Sequence, residues 1–84
     1  MRLDDLLKTL TEKKYVDVDM SIGYMLTITT RPHYCDRGNF MVQAWGPDID
    51  GADAFPRYYF DPKNMVHELI LWADKRQLKI GLEL

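Results

Sequence analysis

The chain has 84 residues, 46% of them hydrophobic, with one cysteine and a formal net charge of −2. That length sets a single small domain, residues 1–84, whose core leaves little spare stability. The composition is too apolar for a disordered chain, the charge too balanced for the basic footprint of a nucleic-acid binder, and Cys35 has no partner for an internal disulfide.

Leu3, Leu6, Leu7 and Leu10 fall at i, i+3, i+4 and i+7, which predicts a helix over about 2–13 with one apolar stripe. Asp4 and Asp5 at its start and Lys13 and Lys14 at its end suit the helix dipole. The acid-bearing opening is not a signal peptide, and no apolar run approaches a membrane span of roughly 18 residues. A cytoplasmic protein is therefore expected, in keeping with the lone cysteine.

Val16, Val18, Met20 and Ile22 alternate with Asp17, Asp19 and Ser21, which is a strand with one wet and one dry face. Gly23 marks a bulge or a turn. Tyr24 to Thr30 is rich in β-branched and aromatic residues. Residues 15–30 form either one bent strand or a tight hairpin; the pattern fits both.

Arg31 to Gly38 reads as a loop and Asn39 to Trp45 as the next strand, stopped by Gly46-Pro47. Asp48 to Asp53 is a polar connection containing the hairpin dipeptide Asp50-Gly51. Residues 55–60 return as a strand, and Pro56 places its start at a sheet edge. Asp61 and Pro62 then supply an N-cap and a first-turn proline for a helix over about 62–77. Within Tyr58-Tyr59-Phe60, alternation puts Tyr58 and Phe60 on one face and Tyr59 on the other, with Tyr59 expected to be the contact residue. Leu78, Ile80, Leu82 and Leu84 alternate in a short terminal strand. The expected fold is α+β, in the order α-β-β-β-α-β, with an antiparallel sheet and two helices on one of its faces.

No motif for catalysis or a cofactor emerges. Asp48, Asp50 and Asp53 suggest a calcium loop, but counting from Asp48 places Asp53 where glycine belongs and Tyr59 where the bidentate acid belongs. His33, Cys35 and Asp36 share one loop, with His67 remote on the second helix, which is not zinc spacing. His67-Glu68 lacks the second histidine of a metalloprotease, because position 71 is leucine. The expectation is no metal, no cofactor and no enzyme.

Surfaces suited to recognition by tyrosine, tryptophan and arginine remain. The candidate partner-binding residues are Tyr34, Arg37, Trp45, Arg57 and Tyr59, with the acids Asp48, Asp50 and Asp53, which have no basic neighbour between Pro47 and Pro56. The element order also resembles double-stranded RNA-binding domains. Those present a lysine cluster at the start of the second helix, where this chain reads Asp61-Pro62-Lys63-Asn64, so direct nucleic-acid binding is not expected.

The opening, Met1-Arg2-Leu3-Asp4-Asp5-Leu6-Leu7-Lys8 through Lys14-Tyr15, resembles that of some phage-encoded anti-CRISPR proteins. The strand-Phe-Asp-helix junction at 59–64 is similar to one found in small phage inhibitors of bacterial enzymes. The resemblance covers about a third of the chain, carries no family residue position by position, and leaves the terminal strand unmatched. It implies inhibition by occupancy: the acidic loop would cover basic residues on a larger nucleic-acid-handling complex in the host cytoplasm. The alternatives are a self-associating accessory protein, a homodimer joined through the edge of the terminal strand, or a nucleic-acid-binding domain.

Overall fold

The computed structural model describes residues 1–30, 37–49 and 55–84. The first helix, α1, spans Leu3–Lys13, with Asp4 and Asp5 in its first turn and Leu6 and Leu10 buried. It ends where Lys14 turns left-handed (φ 71°) and returns its N–H to the Leu10 carbonyl at 3.0 Å. The chain then enters an antiparallel hairpin of β1, Tyr15–Val18, and β2, Met25–Thr30, with Val16 opposite Ile28 and Val18 opposite Leu26. The stretch 15–30 is thus a hairpin, and Gly23 (φ 93°) sits in its turn.

Strand β3, Phe40–Trp45, pairs with β2, and β4, Arg57–Tyr59, pairs with β3, both antiparallel. The sheet order is β1-β2-β3-β4, so β4 is an edge, as Pro56 leads one to expect. Helix α2, Pro62–Lys75, starts as the sequence dictates: Asp61 accepts a hydrogen bond from the Lys63 N–H at 3.0 Å, and Pro62 fills the first turn. It ends two residues earlier than periodicity predicts. Leu78 donates to the Ala73 carbonyl at 2.9 Å and Gln77 to that of Asp74 at 3.0 Å, a Schellman closure with left-handed Gln77 (φ 58°) where glycine is usual.

Alternation decides which sheet face is dry. Val16, Val18, Leu26, Ile28, Val42, Ala44 and Tyr59 are buried in one core cluster with Leu6 and Leu10 of α1 and Met65, Val66, Leu69, Trp72 and Ala73 of α2. Both helices therefore cover the same face, and the α+β architecture stands.

The terminal segment departs from the expected regular strand. It forms two isolated bridges, Met20 with Ile80 and Arg2 with Glu83. Its backbone bonds to two different stretches: Gly81 donates to Asp19 at 2.7 Å, and Glu83 donates to Met1 at 3.0 Å. The Met1 ammonium donates in turn to the Gly81 carbonyl at 2.8 Å. The segment keeps to residues 19–21 through Gly81 and then changes to Met1, which gives bridges rather than one ladder.

Candidate protein-binding surface

The same alternation that builds the core leaves a second face on which neither described helix packs. Strand β1 contributes Tyr15 and Asp17, β2 contributes Met25, Thr27 and Thr29, β3 contributes Met41, Gln43 and Trp45, and β4 contributes Tyr58. Register arranges them in rows. Tyr15 lies opposite Thr29, Thr29 opposite Met41, and Met41 opposite Tyr58. Asp17 lies opposite Thr27 and Thr27 opposite Gln43, while Met25 lies opposite Trp45.

A solvated sheet face ordinarily carries polar side chains. Here Tyr15 is 52% exposed, Met25 61% and Trp45 49%. Large apolar groups held open to water in paired positions are the informative departure. Thr27 donates its hydroxyl to Asp17 at 2.8 Å, which ties down the carboxylate on this face. The Arg37 guanidinium lies 5.8 Å from the centre of the Tyr58 ring, a cation–π contact at the β4 end of the row that runs from Tyr15 to Tyr58. Charge on the face is sparse and both signs are present.

The expected site residues distribute unevenly. Trp45 stands on the open face and Arg37 at its margin. Arg57 lies opposite Val42 on the helix-facing side of β4, with its guanidinium 4.8 Å from the Phe55 ring centre. Tyr59, expected as a contact, is only 7% exposed and belongs to the core. Alternation within 58–60 holds, since Phe60 is exposed and Tyr59 buried, but the dry side is that of Tyr59 because it packs toward α2. Burial raises the Tyr59 phenol above its ordinary 10.0, and contact with Glu68 raises it further, against an opposing pull from Arg57.

Asp48 is not a free acid. It accepts a hydrogen bond from the Tyr24 hydroxyl at 2.8 Å and an ion pair from Arg76 at 3.1 Å. The bond to Asp48 lifts the Tyr24 phenol above 10.0, because losing the phenolic proton would set two negative charges together. The carboxylate thus ties the loop after β3 to the end of α2, and an acidic loop free to meet a basic partner loses one of its three members. Tyr34, Asp50 and Asp53 lie outside the described residues, as do His33, Cys35 and Asp36 and the Asp50-Gly51 dipeptide.

Tyr15, Met25 and Tyr58 are the surface residues that sequence reasoning missed. Tyr15 shares the parity of Asp17, a signal that was present. Met25 has a defined face only once the hairpin register is known.

Among the described residues, no group of three His, Cys, Asp or Glu side chains is placed to hold a metal ion, and no helix is long and apolar enough to cross a membrane. Comparison of the chain with protein-family models, with curated proteins and with solved structures found no match.

Proposed function

We propose that this chain is a small non-enzymatic protein-binding module that occupies a surface of a larger protein or nucleoprotein complex, using the open face of its sheet. The observation that carries the reading is the Met25–Trp45 pair, two large apolar side chains set opposite each other and about half or more exposed. Tyr15 and Tyr58, with Arg37 beside the latter, extend it in residue types that dominate binding hot spots. A contact of this kind draws on apolar burial, so its affinity depends weakly on salt; a contact led by the acidic loop would depend on it steeply.

The resemblance to phage-encoded inhibitors makes a bacterial nucleic-acid-handling complex the partner class to test first. Affinity capture from bacterial lysate, with wild-type protein and with Trp45→Ala as baits, checks the reading. It predicts a partner retained by the wild type through a high-salt wash and lost from Trp45→Ala. No partner, or one held equally by both baits, contradicts it.

A further inference from the structure

A separate site lies on the helix side of the sheet. Where β4 ends the sheet, it and α2 leave a groove of about 340 Å³ lined by Arg57, Glu68, Leu71, Trp72 and Lys75. The four α2 residues sit at i, i+3, i+4 and i+7, so they form one stripe along the helix. Trp72 is buried, but Leu71 is 46% exposed and gives the groove an apolar wall open to solvent. The volume is near the lower end of ligand pockets, roughly 300–1,000 Å³.

Its charges are not balanced. The ion pair found among the described residues joins Arg76 to Asp48, so neither Arg57 nor Lys75 pairs with a carboxylate there. The Tyr59 phenol is coupled to both Glu68 and Arg57. The groove therefore presents two cations against one carboxylate. The outer edge of β4 beside it bonds to no strand among the described residues.

We infer that this groove takes an extended peptide segment of a partner protein, in which a carboxylate flanks a leucine-sized apolar side chain. The carboxylate meets Arg57 and Lys75, the apolar side chain lies on Leu71, and the peptide backbone runs along the edge of β4, as in strand addition. A nucleic-acid strand is the poorer occupant, because the apolar wall of Leu71 offers its phosphates nothing. The site is distinct from the open sheet face, since Arg57 and Tyr58 point to opposite sides of β4.

The test is a nitrogen-15 NMR titration of the whole chain with three probes: acetyl-Glu-Leu-Glu-Leu-Glu-amide, its counterpart with lysine in place of glutamate, and an eight-nucleotide oligothymidylate. The acidic peptide is expected to give saturable shifts centred on Arg57, Glu68, Leu71, Trp72 and Lys75. Lys75→Glu should weaken that binding by about tenfold, and Leu71→Ser by about fivefold, in line with the cost of placing like charges together or removing a leucine-sized contact. Both positions are exposed, so the variants keep the core, and matched thermal unfolding verifies it. Absence of saturable shifts at millimolar peptide, equal binding of the lysine peptide, shifts confined to the open face, or preferential binding of the oligothymidylate overturns the inference. Loss of the captured partner on Trp45→Ala alone would leave these shifts in place, so the two surfaces are judged separately.

Discussion

Arg76, one residue beyond α2, grips Asp48 in the loop after β3 at 3.1 Å, with Tyr24 donating to the same carboxylate at 2.8 Å from the other side. One acid thus links the ends of three elements. Because the Asp48 side chain is 59% exposed, Asp48→Ala should cost only about 1 kcal/mol in urea unfolding. A double-mutant cycle with Arg76→Ala should show positive coupling that shrinks at high salt. Additive effects would show that the pair contributes nothing.

The cap at Asp61 predicts a similar loss from a different cause. Asp61→Ala leaves the Lys63 N–H without its side-chain acceptor, and should cost about 1 kcal/mol by chemical denaturation. Asp61→Ser, which restores an acceptor, should recover most of it.

Gly38 predicts a larger effect. A β-carbon there would lie 2.5 Å from the backbone nitrogen and oxygen of Tyr59, and φ is +151°. Backbone atoms cannot rotate aside, so Gly38→Ala should destabilise by about 3 kcal/mol or more and loosen β4 in hydrogen exchange. A neutral outcome would show that β3 and β4 do not approach as described.

The raised Tyr59 phenol sets a pH dependence. A folded-state value above the ordinary 10.0 means that the folded chain holds its proton where the unfolded chain has released it. Its stabilising contribution is complete below pH 10 and is lost as pH rises through the folded value. Tyr24 is shifted in the same direction. Unfolding measured from pH 8 to 11 should therefore show stability falling above pH 10, with a shallower fall in Tyr59→Phe. An unchanged slope would contradict the burial of this phenol.

Much of the fold was legible because periodicity and capping are local. Leucine spacing marks α1, Asp61-Pro62 marks the start of α2, and Pro56 marks an edge strand. What failed depended on contacts distant in sequence. Asp48 looked like a free acid because its partners, Tyr24 and Arg76, lie 24 and 28 residues away. Tyr59 looked like a contact because alternation divides residues between faces without saying which face the helices cover. The terminal segment read as a strand because its pattern is regular, yet its neighbours are Asp19 and Met1, two stretches that share no ladder. Trp45 was recognised as a candidate contact. Its partner Met25 was not, because the hairpin register had to be known first.

The central claim is that the open sheet face, and not α1 on the opposite side, meets the partner. Site-specific photo-cross-linking asks this directly, with a benzoylphenylalanine placed at Gln43 on the open face, which leaves Trp45 intact, or at Lys8, an exposed position on α1. The proposed function predicts a cross-linked partner band from position 43 and none from position 8. A band from position 8 alone, or from neither position, would contradict it.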